Sequence, residues 1–537
     1  MEQTPAKPSW PPGVRIAHAA QNIVDGVQRH QWLFLAFASA LYFLETYRIV
    51  STTPFNGDEF FTFYLSQLPS VKDIWITLSR GLEVTPPAIH LSTRMIEQWF
   101  GPGPFASRFV SILGFWVMLL SVYIFVERRC AAVYAAAASI FPVFTSAYAA
   151  SCRVRPYGLV LAGCGLSLVF WQRATEGGRR AMALVGLSLS LALAIASHYY
   201  SVLLLVPFAA GELVRWRVRR RPDWPVWIAL SAALMPLVLF IPLIRSSWQQ
   251  AVLYSSITRF SFFHVFVIYR TNVHPLLLML LLVLVVGSAR NRLRVAADPR
   301  QGSGRNSIPA HEGVTVVVLA LLPFVLFLSA SLVTKAFFWH YAASFVVGLA
   351  ILFGLAASEA TSDDHVLAAA LFLAMGILIA GAVYKKAEVA NAGTWDTLRA
   401  VSSPLFSVDQ RLPIGIASPG VFLALQHYAP ASLSARLYYI AADDPSKKSA
   451  DNDMTVLNTW IKFNMITYSS LLDAHPCFLV YENYDRLDAR PVIDRLVADR
   501  KKAYLKARDE FGELFLVENT VAVHGEEGSA PGSCEAR

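Results

Sequence analysis

The sequence predicts a mainly α polytopic membrane protein with about eleven transmembrane helices, interfacial helices in its outer loops and a small α/β domain at the C-terminal end. Three observations predict it. Hydrophobic residues fill 55% of the 537 positions and charged residues only 15%, against about a quarter in soluble domains, and the mean hydropathy is +0.46. Apolar runs long enough to cross a bilayer recur between residues 31 and 384. From Lys385 onward those runs stop and short β-rich segments alternate with polar helices.

Residues 1–30 form a modestly basic start, with Lys7, Arg15 and Arg29, read as a cytoplasmic N-terminal segment. The first apolar run, 31–50, contains Ala38-Ser39-Ala40, which resembles a cleavage site, yet the run continues past it, as in an uncleaved signal anchor. Further spans are expected near 105–126, 131–150, 156–172, 181–197, 199–214, 224–245, 273–289, 313–334, 337–357 and 366–384. The 181–214 stretch suits two spans broken around Ser197-His198-Tyr199-Tyr200, with one long tilted helix as the alternative.

A cytoplasmic N-terminus then puts Arg128-Arg129, Arg173 with Arg179-Arg180, the Arg215 to Arg221 cluster and Arg290, Arg292 and Arg294 inside, which satisfies the positive-inside rule. The 358–365 loop, with Asp363 and Asp364, gives no positive signal. The 51–104 loop, the 246–272 loop and everything after Tyr384 fall outside, so the expected chemistry is exoplasmic. The expected units are a transmembrane domain over 31–384, an exoplasmic α/β domain over 385–524 and a loose tail over 525–537, in the cytoplasmic (inner) membrane.

The formal charge of +9 raises nucleic acid as a partner, but the arginines gather in short loops between apolar runs, where they act as topology signals. Nucleic acid is set aside. The cysteines at 130, 152, 164, 477 and 534 show neither CxxC spacing nor His partners at metal-ligand spacing; a lone Cys477 to Cys534 bridge stays open. The α/β segment has expected strands at 412–417, 436–441, 477–482 and 513–518 and a long charged helix over 490–509. It carries no glycine-rich phosphate loop after a strand and no nucleophile elbow. Gln301 to Ser307 is the one Gly/Ser-rich linker.

The stretch Pro54-Phe55-Asn56-Gly57-Asp58-Glu59-Phe60 follows the first span directly, and Glu83-Val84-Thr85-Pro86-Pro87 comes about one short helix later. Ionisable groups at a membrane boundary are costly, so Asp58, with Glu59 beside it, reads as a functional site. The plainer reading makes Asp58 the N-cap of a helix beginning at Glu59, since Asn-Gly is turn chemistry and Asp caps well. N3 would then be Phe61, which leaves no capping box. On the outer side, cations run against the topology signal: Arg153 and Arg155 precede Pro156-Tyr157, and Lys335 lies with His340-Tyr341 in a short hairpin. A guanidinium fork matches phosphate oxygens, so Arg155, Tyr157, Lys335 and His340 are the candidates to hold a lipid phosphate; headgroup snorkelling is the alternative for both arginines. His198 reads equally well as a satisfied interfacial histidine, and His264 reads better as an interfacial histidine than as a ligand.

Asn56-Gly57-Asp58-Glu59, Thr85-Pro86-Pro87 before Trp99-Phe100-Gly101, Ser107-Arg108 opening the second span, Arg155-Pro156-Tyr157 and His198-Tyr199, in that order, resemble the GT-C glycosyltransferases. The resemblance covers about 30 to 350 of the chain and is to the polyprenyl-phosphate-sugar-dependent group: protein O-mannosyltransferases, aminoarabinose transferases of lipid A and RgtA/B/C/D-like sugar transferases. It implies an exoplasmic transferase taking sugar from a polyprenyl-phosphate donor to an envelope lipid, glycan or protein acceptor. It maps the acidic residue of the first outer loop onto Asp58 and a second acidic position onto Glu83, with His198 and Tyr199 on the substrate side. The sequence departs from the family at Ser151-Cys152-Arg153-Val154, which lacks the acidic residue often found there, and at His340-Tyr341, where many members have Arg-Tyr.

The residues support the chemistry independently. A sugar C1 on phosphate already has a good leaving group, so the enzyme needs a base, Asp58, and positive charge for the departing phosphate, Arg155 and Lys335. Inversion at C1 is expected. No cofactor is obligatory; a divalent metal ion on Glu83 and His264 is the one metal option, carboxylate and imidazole being suitable ligands. The competing classes are a lipid or sugar transporter or flippase, whose paired broken segments in two halves are not apparent, and a non-catalytic scaffold using the α/β domain as a binding module.

Overall fold

The computed structural model describes residues 12–255, 260–273, 276–297, 308–335, 337–361, 364–378, 381, 401–443, 449–483 and 491–519. The Gly/Ser linker at 301–307, Asp363, Cys534 and the 525–537 tail lie outside them. Helix occurs at each apolar run, but many runs are interrupted. Gln31–Thr52, Pro104–Glu127 and Arg180–Ser197 are each long and apolar enough to cross a membrane. Three bent pairs do so jointly: Trp224–Leu239 with Ile241–Trp248, Phe263–Val273 with Leu278–Val286, and Ala310–Ala320 with Leu322–Thr334. That makes three to six candidate spans among the described residues, where the sequence suggested about eleven.

Proline accounts for several breaks, because it lacks the N–H and clashes with the preceding turn. Pro142 sits in a 3-10 turn, Phe141–Phe144, that divides the 131–150 run into Ala132–Ile140 and Ser146–Ser151. Pro323 stands near the start of Leu322–Ser329 and Pro242 near the start of Ile241–Ser255. The 181–214 stretch is two helices rather than one. Arg180–Ser197 stops at His198, which takes extended backbone (φ −154, ψ 126), and the His198 Nδ1 accepts the Tyr200 N–H to cap the 3-10 turn Tyr199–Leu204.

Two glycines set the centre of the helical part. A Cβ on Gly158 would lie 1.9 Å from the Ser111 carbonyl oxygen, and one on Gly114 would lie 2.4 Å from that of Gly158. The helices Pro104–Glu127 and Tyr157–Glu176 therefore meet backbone to backbone, as small residues permit where lipid supplies no hydrophobic drive between helices.

The C-terminal part is a six-stranded sheet in the order β3-β2-β1-β4-β6-β5. The strands are β1 Ile414–Ile416, β2 Leu437–Ala441, β3 Met465–Thr467, β4 Cys477–Asn483, β5 Lys502–Arg508 and β6 Gly512–Glu518. β3, β2, β1 and β4 run parallel, and β6 and β5 add antiparallel pairs. The long helix expected over 490–509 is corrected. Helix covers only Pro491–Ala498; Arg500 then takes left-handed backbone (φ 56), and the chain returns as β5. β5 is one of the sheet's two edges, and Lys502, Lys506 and Arg508 on it suit an edge that must not pair with another chain. Three-residue β3 gave no sequence signal.

The first outer loop forms the helices Glu59–Ser66, Val71–Ser79 and Ala88–Phe100; of these, the stretches Phe60 to Leu65 and Ile89 to Phe100 are the ones the sequence suits to the interface plane. The apolar face of Glu59–Ser66 is buried against the sheet domain, where Phe60 and Phe63, with Phe55 before them, share one core with Phe406, Phe422, Leu457 and Tyr481, while Ala88–Phe100 packs on Pro104–Glu127. Trp99 and Phe100 remain exposed, at 70% and 74%. Because the Gly158 contact leaves no room for a methyl group, Gly158→Ala should destabilise the helical part by about 1–3 kcal/mol, the usual cost of overpacking. Thermal melting in detergent checks this, and an unchanged midpoint would show that the two helices separate freely.

Candidate active site

The chain leaving the first span is fixed by one buried ion pair. Arg108, 1% exposed at the start of the second long helix, donates from Nε to Glu59 Oε1 (2.8 Å) and from Nη2 to Glu59 Oε2 (2.9 Å). The same guanidinium donates to the carbonyls of Val50 (3.1 Å), Thr53 (2.7 Å) and Pro54 (2.9 Å), and lies 5.0 Å over the Phe55 ring. Glu59 in turn accepts the Asn56 N–H (3.1 Å) and the Val154 N–H (2.8 Å). Both Glu59 oxygens are thus occupied, which gives this residue a holding part rather than the catalytic one paired with Asp58.

Asp58 is presented by this knot. It is exposed and makes no side-chain cap hydrogen bond, although it precedes the helix Glu59–Ser66. Gly57 before it has φ +45, and a Cβ on Gly420 would lie 3.2 Å from the Gly57 Cα. Gly420 stands just past the carboxyl end of β1, so the sheet domain abuts the Asp58 loop; Tyr428 accepts the Phe55 N–H at 2.7 Å on its hydroxyl. The Asp58 charge bears on Arg155, Tyr157 and Asp453.

Glu83 adopts left-handed backbone (φ 65) and pairs with Arg155 through Oε1. Its Oε2 accepts from Thr85 (2.9 Å) and Thr62 (3.5 Å) and lies 3.2 Å from His90 Nε2. Burial is the main influence on the His90 imidazole and pushes it down to about 4, so the neutral ring donates from Nε2. Glu83 therefore holds one nitrogen of the Arg155 guanidinium, the Tyr157 hydroxyl accepts a second hydrogen bond from it, and the remaining N–H groups of the fork are those another anion could use.

Arg155 faces a cluster of rings. Tyr157 lies 4.9 Å from His340 and 6.0 Å from His198, and His198 lies 4.8 Å from Tyr341, centroid to centroid. Arg155 is within electrostatic reach of both histidines, and exposed Arg153 of His340. The structure so gathers Asp58, Glu83, Arg155, Tyr157, His198 and His340. Tyr199 departs toward Ser247. Lys335 is exposed and donates from Nζ to the Ser331 carbonyl of its own segment. His264 is exposed, its Nδ1 accepting the Ser261 N–H at 3.0 Å.

The metal option on Glu83 and His264 does not fit these contacts. Both Glu83 oxygens are engaged by Arg155, Thr85, Thr62 and His90, and no group of three or more His, Cys, Asp or Glu side chains that could hold an ion gathers among the described residues.

Sequence reading missed Arg108 as the anchor of the loop, His90 behind Glu83, and Asp453. An arginine opening an apolar helix was the signal for the first. Asp453 had none, because its place depends on the sheet domain folding back. It is 8% exposed on the helix Ser449–Asn458 and accepts the Glu83 backbone N–H. Burial pushes its carboxyl well above the usual range, with the charges of Glu83 and Asp58 acting in the same direction.

No family model matches the sequence, and no curated sequence relative is detected. Solved structures do resemble the chain. ArnT from Cupriavidus metallidurans bound to undecaprenyl phosphate is 13% identical, with a TM-score of 0.49 over 92% of this chain and 99% of that one. The Archaeoglobus fulgidus oligosaccharyltransferase tethered with an acceptor peptide is 12% identical, with a TM-score of 0.44 over 91% and 74%. The oligosaccharyltransferase AglB from the same organism, in complex with an inhibitory peptide and a dolichol-phosphate, is 11% identical at 0.38 over 91% and 74%. At these identities and scores, function has to be argued from the site itself.

Removing one partner of the knot leaves a buried charge alone, so Arg108→Gln should lower stability by about 3–5 kcal/mol. Asp58→Asn should leave the melt unchanged, since Asp58 makes no cap bond. Melting curves of the two variants check the contrast; equal losses would mean that Asp58 also holds the loop.

Proposed function

We propose that the protein is a membrane glycosyltransferase that moves a sugar from a polyprenyl-phosphate carrier to a lipid, glycan or protein acceptor on the exoplasmic face, with inversion at C1. The observation that carries the reading is the position of Asp58: exposed, uncommitted to its own helix, and electrostatically coupled to Arg155. The orientation that goes with it puts the N-terminus in the cytoplasm and the sheet domain outside the inner membrane. The order of the site motifs in the sequence supports the same family of reactions.

In the proposed step Asp58 takes the proton of the acceptor hydroxyl while that oxygen forms its bond to C1. The bond from C1 to the phosphate oxygen breaks on the opposite side, and the phosphate leaves with the electron pair. Arg155, aligned by Glu83 and beside Tyr157 and His340, stabilises the growing phosphate charge. Asp453 closes the site from the sheet domain and the Tyr157, His198 and Tyr341 rings form its apolar wall. Lys335 has no part in this scheme. No metal is required by it.

Transfer from a polyprenyl-phosphate sugar by purified protein tests the reading. Asp58→Asn should lower the rate by roughly 10² to 10⁴ fold, the usual contribution of a positioned base. Arg155→Ala should impair use of the lipid-phosphate donor far more than Arg153→Ala. Transfer by Asp58→Asn at the wild-type rate would remove Asp58 from the chemistry. Lipid movement without any transfer by the wild type would make the protein a transporter.

A further inference from the structure

The helix Arg180–Ser197 has His198 and the candidate active site at one end. At its other end, about 27 Å away by helical rise, a groove of about 850 Å³ opens between this helix and Tyr157–Glu176. Arg128, Arg173 and Arg179 stand at its mouth, around the Gly177-Gly178 turn, and Phe170, Met182, Val185 and Leu189 form its floor. Met182, Val185 and Leu189 are 67%, 59% and 65% exposed. Gly186 makes room for the Phe170 ring: a Cβ there would lie 2.6 Å from it.

The charge at the mouth is unbalanced. Glu176, the acidic group in the lining, already pairs with Arg128 and Arg129 through its two oxygens, and Arg173 and Arg179 have no acidic partner among the described residues. A second basic groove on the other side of the same turn, of about 560 Å³, shows the contrast: its Arg180, Arg215 and Arg219 all pair with Asp223. From Met182 to Leu189 the apolar floor rises about 10 Å along the helix, and with the mouth at Arg179 the groove lies within the half-thickness of a bilayer's hydrocarbon, about 15 Å.

We propose that this groove binds one anionic phospholipid, its phosphate between Arg173 and Arg179 and an acyl chain along Met182, Val185 and Leu189. Two uncompensated guanidinium groups above an exposed apolar strip that lies within one leaflet are complementary to such a lipid. By the arginine-rich loops the leaflet is the cytoplasmic one. The proposal rests on the chain spanning a membrane and is independent of the transferase reading.

The test is lipid binding to the purified full chain in detergent, by native mass spectrometry and by thermal melting with added lipid. Phosphatidylglycerol should bind with one tight equivalent and raise the midpoint, and phosphatidylcholine or inorganic phosphate at equal concentration should do neither. Arg173→Gln/Arg179→Gln should weaken phosphatidylglycerol binding roughly 10- to 30-fold, as expected for two surface cations, while Arg173→Lys/Arg179→Lys retains it. The lipid-free melts of both variants should match the wild type, because neither side chain holds an ion pair among the described residues. Equal stabilisation by phosphatidylcholine or by inorganic phosphate would overturn the proposal, as would undiminished phosphatidylglycerol binding by the glutamine variant. Asp58→Asn should keep the lipid site whatever it does to transfer, so the two readings fail separately.

Discussion

Everything at the candidate site hangs on the pairing of Arg108 with Glu59. The guanidinium collects the three carbonyls at the end of the first span and both carboxylate oxygens, while the carboxylate collects the N–H groups of Asn56 and Val154. Three separate pieces of chain are thereby held in one register: the exit of the first helix, the start of the second, and the turn that carries Arg155. A buried pair of this kind is a weak source of net stability, since two charges must be desolvated to make it. Its value here is geometric. It leaves Asp58, one residue away, with no structural duty and Arg155 close by.

A second constraint is the sheet domain, which is no detachable module. Its β1 end abuts Gly57, its Tyr428 hydroxyl takes the Phe55 N–H, and its Asp453 reaches the Glu83 backbone. The outer-loop helices and the sheet share one apolar core. The surroundings of Asp58 therefore draw side chains from both halves of the chain, with the Asp453 carboxyl of the sheet domain buried against Glu83. Glu83, in left-handed backbone, is the point where the halves join: Arg155 on its side chain and Asp453 on its N–H.

Local chemistry made much of this legible in the sequence. The apolar runs mark the helices, the alternation of short strands with helices marks the α/β domain, and charge placed against hydropathy marks Asp58, Arg153 and Arg155 as candidates, while Glu83 enters through the family resemblance. Features decided by tertiary contact were not legible. Lys502–Arg508 reads as charged helix until its position at the sheet edge is known, and Asp453 reads as a surface acid until its helix docks on Glu83. Glu59 and Asp58 are indistinguishable as neighbours in a string; Arg108 separates them. The count of spans also exceeds what single rods supply, because Pro142, Pro242 and Pro323 break runs whose composition alone suggests continuity.

The central claim is that Arg155, steadied by Glu83, receives the phosphate of a lipid carrier beside a free Asp58. The most direct measurement is an experimental structure of the protein with polyprenyl phosphate bound. The account predicts phosphate oxygens at hydrogen-bond distance, about 2.8 Å, from the Arg155 guanidinium, with Tyr157 and His340 alongside and the Arg108–Glu59 pair unchanged. A phosphate seated on Lys335 with Arg155 held by Glu83 alone, or an Asp58 turned into the Arg108 knot, would contradict it.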